Sequence, residues 1–223
     1  PMVIPVIGRF PGSGGTQWRT DVFLGSPGSG TQVATLRFYP TGGTVRTATI
    51  TMGPYSTATF PDIVLNTFGM DNAGGVLEVS VAAGFAIQAR ATIYNSGNPA
   101  GIFGQGVPGI ALDYLNRQAF LFGLSGISGN RVNIGAANPN DTPVLVNFYI
   151  NDADGLGVYQ LTATIPAHGY VQYNDIFITY GLAAREGLQV DIMSSGLPIY
   201  GYSSEVRNDT GDAIFNFGTN PNA

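Results

Sequence analysis

Groups able to carry chemistry are few in this chain and stand far apart. One histidine, nine arginines, eleven aspartates and three glutamates make up its charged set, with neither cysteine nor lysine among 223 residues. Without cysteine there is no thiolate nucleophile, no disulfide framework and no zinc-thiolate site. His168 lies in PAHGY with no nucleophile or orienting carboxylate spaced around it, so it reads as a turn residue. No Gly-x-Ser-x-Gly occurs, which removes the esterase elbow.

Three patterns invite a sharper reading. NDADG, residues 151–155, sets oxygen ligands at alternate positions, making Asp152 and Asp154 the one calcium-like pair. The bidentate Glu of a full loop is missing, and Asp-Gly between strands is the ordinary hairpin turn, so no metal is assigned. GQGVPG, residues 104–109, matches Gly-x-Gly-x-x-Gly, yet Pro108 sits inside it and no acid lies between Asp113 and Asp141. It is expected to be an interdomain turn, and no cofactor is called for. Asp62 and Asp175 each precede an Ile at matching places in the two halves. Glycoside cleavage needs two carboxylates about 5–9.5 Å apart across one cleft. Matching positions in separate domains do not converge, so each is expected to bond backbone in a turn.

Arg19 and Asp21, two apart on a strand, share a face and can form one polar cluster beside Trp18, the sole tryptophan. Trp18, Arg19 and Asp21 are therefore the candidate ligand contacts, a sugar ring stacking on the indole being the lesser of two readings. The plainer alternative is packing for Trp18 and a cross-strand tie for the other two. The sequons at Asn140 and Asn208 fall in surface turns, open to glycosylation in a host that performs it.

The elements that must position these residues appear twice. WRTDVFLGSP (18–27) lies over NRVNIGAANP (130–139), matching Arg19 to Arg131, Asp21 to Asn133 and Pro27 to Pro139. TLRFYP then answers VNFYIN, TATI at 47–50 answers TATI at 162–165, and FPDIV answers YNDIF. GVLEVSV answers GLQVDI, and GIFGQ answers AIFNF. The offset of about 110 to 113 residues, 115 for the TATI pair, predicts two related domains, 1–112 and 113–223.

Periodicity is two nearly throughout. Ala34, Leu36 and Phe38 alternate with polar residues in phase with Val144, Val146 and Phe148. Ala48, Ile50 and Met52 pair with Leu161, Ala163 and Ile165, and Leu77, Val79 and Val81 with Leu188, Val190 and Ile192. Turn clusters (GSPGSG, PTGG, NAGG, NSGNPAG, then NPNDT, DADG, PAHG, NDTGD) separate seven or eight short strands per unit, an antiparallel sandwich pattern. ALDYLNRQ (111–118) predicts a short helical turn at the junction, followed by a first strand at QAFLFGLS. The opening segment, with Met2, Val3, Ile4, Val6, Ile7 and Phe10 around Pro5, predicts an edge strand or one that leaves its own sheet.

Charged residues are 10% of the chain, against about 25% in ordinary soluble domains. Such a surface suits either secretion or broad contact with other proteins, because burying ions is costly. A net charge of −5, with arginines scattered, argues against nucleic acid as a partner. No stretch approaches eighteen apolar residues, so no membrane span is expected. Opening on Pro1 rather than Met predicts a processed terminus after loss of a secretion signal, although an expression scar would look alike.

The LGSP and GAANP strand ends, the valine-rich strands closing on Phe-Tyr and the DADG hairpin resemble immunoglobulin-like modules of bacterial secreted and surface proteins, adhesion-related ones included. The WRTD and NRVN signatures after Gly/Ser-rich loops resemble tandem repeats of exported bacterial proteins. The resemblance implies an all-β fold of two tandem immunoglobulin-like antiparallel β-sandwich domains, with no catalytic residues and no cofactor. The expected role is a non-enzymatic extracellular subunit that assembles with copies of itself, Met2 to Phe10 being donated to a neighbour's sheet. The alternative is a secreted adhesion or carbohydrate-binding module whose partners are surface glycans.

Overall fold

The computed structural model describes residues 1–12, 15–98, 101–127 and 129–220. Strands hold 57% of the chain and helix 6%, and every strand pairing is antiparallel. No helix among the described residues is long and apolar enough to cross a membrane. The chain divides into two compact units, Pro1–Tyr114 and Leu115–Ala223.

Unit 1 contains β1 (Met2–Pro11), β2 (Gln17–Gly25), β3 (Gln32–Pro40), β4 (Arg46–Met52) and β5 (Thr57–Phe60). After α1 (Ile63–Asn66) come β6 (Ala73–Ser80), β7 (Gln88–Asn95), β8 (Phe103–Pro108) and β9 (Ile110–Ala111). The strands run in the order β4-β3-β6-β1-β2-β7-β8, with β5 on β2 and β9 on β1. Alternation decides the faces: Ala34, Leu36 and Phe38 of β3 are fully buried, while Val33, Thr35 and Arg37 between them are not.

β1, which carries Met2, Val3, Ile4, Val6, Ile7 and Phe10, is an inner strand of its unit and not the edge strand expected from Pro5. It lies inside its own unit, pairing β6 through Arg9 and then passing to β2, where Phe10 faces Trp18. The hand-over follows a bulge between Ile4 and Ile7. A bulge leaves residues outside the ladder, so Pro5, which lacks an N–H, fits an inner strand there. Met2, Val3, Ile4, Val6 and Ile7 are all buried. At Gly75, opposite Pro40 and Ile7, a Cβ would collide with the Tyr39 carbonyl oxygen, which fixes glycine there.

Unit 2 contains β10 (Gln118–Leu124), β11 (Asn130–Ala137), β12 (Val144–Asn151), β13 (Gly157–Ile165) and β14 (Tyr170–Tyr173). It continues with α2 (Ile176–Thr179), β15 (Leu188–Ser194), β16 (Tyr200–Arg207) and β17 (Ala213–Phe217). Its sheets, β10-β15-β12-β13 and β14-β11-β16-β17, face each other across one core that includes Leu121, Val132, Ile134, Phe148 and Ile192. Adding nine to each strand label of unit 1 reproduces these neighbours, except that the β1–β2 pairing has no counterpart between β10 and β11. Even the return of β9 onto β1 has its counterpart, Thr219 bonding Phe120 of β10 in both directions. β10 also carries a bulge, between Leu121 and Leu124, where Gly123 takes φ 72°.

Several local readings change. With Phe38 set against Phe148, Leu77 faces the first and Ile192 the second, which puts β15 four residues away from the sequence match of Leu77 to Leu188, with the alternation kept. The junction helix shrinks to a 3-10 turn at Leu112–Tyr114. GQGVPG is not an interdomain turn: Gly104 to Val107 run as strand β8 against β7, and no helix opens on Gly109. Gly74 and Gly75 of the NAGG cluster belong to β6. Of NSGNPAG, Pro99 and Ala100 lie outside the described residues, as do Ser13 and Gly14 of the loop before WRTD.

Candidate functional site

The densest polar constellation in unit 1 gathers Arg9 from β1, Arg19 and Asp21 from β2, Tyr94 from β7, and Asp62 and Asp71 from either side of α1. Asp62 turns the corner between β5 and α1 in the left-handed region, φ 40°, which short Asp and Asn side chains tolerate. That turn aims its N–H at Asp21 Oδ1, 2.8 Å away. The Tyr94 hydroxyl donates to the same oxygen at 3.2 Å. Arg9 pairs through its terminal nitrogen with Asp62 and donates from Nε to Asp71 Oδ1 at 2.8 Å. Arg19 Nε stands 3.8 Å from Asp62 Oδ2, and its NH1 donates to the Trp18 carbonyl at 2.7 Å.

The electrostatics follow from this packing. Burial, reinforced by Asp21, pushes the Tyr94 phenol up to about 12, so it stays protonated near neutrality. The Asn72 N–H and then Arg9 hold Asp71 below the usual carboxylate range. Asp62 Oδ1 is buried without a partner among the described residues, while Oδ2 faces both guanidiniums. The result is a knot of three carboxylates and two guanidiniums tying β1, β2 and β7 to the corner before α1. Arg9 and Arg19 meet Asp62 and Asp71, Asp21 accepts from a backbone N–H and a phenol, and no activated nucleophile stands among them.

Unit 2 builds the same corner with different chemistry. Asp175 takes φ 42° and donates its N–H to Asn133 Oδ1 at 3.0 Å. Its side chain accepts from Ile178 N at 3.5 Å, at the start of α2. An amide oxygen thus does in one unit what a carboxylate does in the other, so the pin needs an acceptor, not a charge. Asp62 and Asp175 belong to separate corners and make backbone bonds. Arg131 turns instead to Asn208 Oδ1, 2.7 Å away, and burial lowers its pKa.

Trp18 is half-buried, against Phe10 and Asn95 in the ladders. Asp152 and Asp154 stand in the β12–β13 hairpin. Asp152 Oδ1 accepts from Asp154 N at 3.0 Å and Leu156 N at 2.9 Å, the bonding of an Asx turn. Among the described residues no three His, Asp or Glu side chains converge on one point. His168 adopts φ 51° in its turn, with Nε2 2.9 Å from Asp141 Oδ1.

Two groups escaped the sequence reading. Asn138, 0% exposed, donates to the carbonyls of Thr142, Ile165 and Pro166 and accepts both the N–H and the side-chain amide of Asn140, clamping two loops. The Asn140 amide, also bonded to Pro198 O, is engaged, whereas Asn208 is exposed. In the second group Phe148, Tyr173, Tyr180 and Tyr159 meet in succession at centroid spacings of 5.2, 6.2 and 5.0 Å. Burial raises the phenols of Tyr173 and Tyr180, and Tyr159 is 41% exposed. Only a contact between distant strands assembles these residues, so no local spacing announces them.

No protein-family model and no curated protein matches the chain. Among solved structures it is similar to a calcium-binding mutant of Bacteroides uniformis beta-glucuronidase 2, at 11% identity and a TM-score of 0.18, over 97% of this chain and 28% of that one. A second Bacteroides uniformis beta-glucuronidase gives 11% and 0.18, over 91% and 26%. A beta-glucuronidase from glycoside hydrolase family 2 gives 11% and 0.17, over 91% and 23%. The chain spans about a quarter of the length of these proteins.

Proposed function

We propose that the chain is a non-enzymatic extracellular structural subunit, built from two tandem immunoglobulin-like sandwiches of common origin, that assembles with copies of itself. The duplication is supported by the shared strand order and by the corner that pins Asp62 to Asp21 and Asp175 to Asn133. The likeness to immunoglobulin domains is one of architecture. Their constant-type order, 1-2-5-4 against 7-6-3, differs from 4-3-6-1 and 5-2-7-8 here.

The observation that carries the assembly reading is where the scarce charge goes. Arg9, Arg19 and Asp62 are tied into one largely buried cluster, and the exposed Asp71, Asp209 and Asp141 each have an Arg or His partner, Arg207 being that of Asp209, in a chain with only 10% charged residues to place on its surface. Neighbours can cover such surfaces without stripping water from ions. Sedimentation from micromolar to millimolar concentration, with electron micrographs of the concentrated sample, tests it. Concentration-dependent growth in mass is expected, and a single-chain mass throughout would refute it.

A carbohydrate-binding or adhesion role is the second reading, favoured by the tyrosine cluster at Tyr159, Tyr173 and Tyr180, whose outer ring offers a face for a sugar. Calorimetric titration with an oligosaccharide panel, repeated with Tyr159→Ala, separates it from the first. Heat that vanishes in the variant supports the sugar site, and no heat with any member removes it.

A further inference from the structure

We propose that copies of the chain join head to tail by pairing β4 of one molecule antiparallel to β13 of the next, an inference that rests on the assembly reading. Each strand ends its sheet, and among the described residues no strand pairs with its outer side. Their outer sides run over seven and nine residues, that of β13 being touched, among the described residues, by a hydroxyl only at Thr162. Neither contains a proline or an acidic residue, and Arg46 is the one charge on either. Edges this long and this neutral are templates for another strand unless a charge, proline or bulge blunts them.

The sequence of the two edges fits them to one another. Each carries Thr-Ala-Thr-Ile in the same phase, Thr49 facing Thr35 and Thr164 facing Leu145 on the inner neighbour. The Tyr173 hydroxyl reaches the Thr162 carbonyl at 3.4 Å from outside the β12–β13 ladder. Thr162 therefore turns its backbone groups outward, and by the period of two Gln160 and Thr164 do the same. Pairing would align Thr47, Thr49 and Thr51 with Gln160, Thr162 and Thr164 on the outer face. On the inner face it would cover the half-buried Ala48, Ile50 and Ala163.

Charge disfavours the like pairing of β13 with β13. In an antiparallel β13–β13 seam the start of one strand, preceded by Asp152 and Asp154, meets the end of the other. Near that end stands Asp141, 96% exposed and three residues before Val144, the partner of Ile165. Like charges would face each other. In the β4–β13 seam Arg46 takes the place beside Asp141, and the signs are opposite. Because the two surfaces differ, the contact is heterologous and propagates until a ring closes.

Proline on an edge blocks pairing at an outward N–H without breaking the inner ladder, so Thr49→Pro disables β4 and Thr164→Pro disables β13. Sedimentation of each variant alone, and of an equal mixture, reads the seam. Each alone should remain a single chain of 23.3 kDa, while the mixture should give a species of twice that mass and nothing larger. Thr164→Pro dimers would point to β4–β4 pairing and Thr49→Pro dimers to β13–β13, and either overturns the proposal. Variants that assemble like the wild type refute the seam and leave assembly standing, whereas a wild type that never assembles refutes both. Ala48→Lys and Ala163→Lys, which put a charge on the inward side of each edge, repeat the test if circular dichroism shows that proline unfolds the chain.

Discussion

Removing residues 2–10 distinguishes a strand that belongs to its own fold from one held in reserve for a neighbour. Met2, Val3, Ile4, Val6 and Ile7 are buried, three of them completely. At about 1.5–3 kcal/mol for each side chain, their burial contributes about 8–15 kcal/mol. Compactness of the unfolded chain reduces this to about 5–13 kcal/mol. A whole domain is stable by about 5–15 kcal/mol, so unit 1 should unfold without β1. Ile4→Ala, a gentler cut at a fully buried site, should cost about 2–5 kcal/mol. The assay is urea denaturation followed by Trp18, the only tryptophan, which lies on β2 opposite Phe10 and therefore reports on unit 1. The truncated chain should show fully exposed tryptophan emission in buffer alone, and Ile4→Ala a lowered midpoint. Native emission and an unchanged midpoint after truncation would refute the argument and return β1 to the role of a detachable strand.

Other perturbations have equally definite outcomes. Asp21→Asn should preserve the corner, since Asn133 does the same work in unit 2, while Asp21→Ala should cost about 1 kcal/mol in the tryptophan-monitored transition. Asp21→Asn should also shift the Tyr94 tyrosinate absorbance titration downward from about 12, and an unmoved titration would contradict the contact. Raised phenol pKa values stabilise the fold below the unfolded value near 10 and lose that contribution as pH climbs through the folded value. Thermal midpoints should therefore fall between about pH 10 and pH 12, the Tyr94 window, and a flat profile would refute it. Asn138→Ala strands several buried carbonyls and should destabilise unit 2 by about 2–4 kcal/mol, seen in its near-ultraviolet tyrosine dichroism. Calcium should leave the melting midpoint unchanged because backbone N–H groups occupy the Asp152 carboxylate, so a rise of several degrees would restore the metal site.

What could be read in advance depended on how local the cause was. Strand faces follow from alternation within a few residues, so Leu36, Phe38, Val146 and Phe148 were legible as core. The paired Asp62 and Asp175 drew attention because repetition marks a position, and their work, a backbone N–H aimed at Asp21 or Asn133, is itself a repeated geometry. The place of β1 was not legible, because Pro5 is compatible with an edge, an exit or a bulge, and only the distant β6 selects among them. Arg9 and Tyr94 join the polar cluster across separations of 53 and 73 residues, which no spacing rule reaches. The four-residue displacement of β15 escaped for a related reason: an even shift preserves alternation, so both registers look equally good in the sequence.

The seating of β1 between strands made much later sets a schedule for synthesis. Its ladder partner begins at Ala73, and the short strand that closes its other side ends at Ala111. At about 5–20 residues per second, a ribosome needs about 5–20 s to go from Pro11 to Ala111. Through that interval Met2 to Ile7 is an apolar segment still short of its full set of partners, first of β6 and then of β9. The same wait recurs for Gln118 to Leu124 until Thr219 emerges. Holding factors that shield nascent hydrophobic chain are thus expected to matter twice per molecule, once for each opening strand.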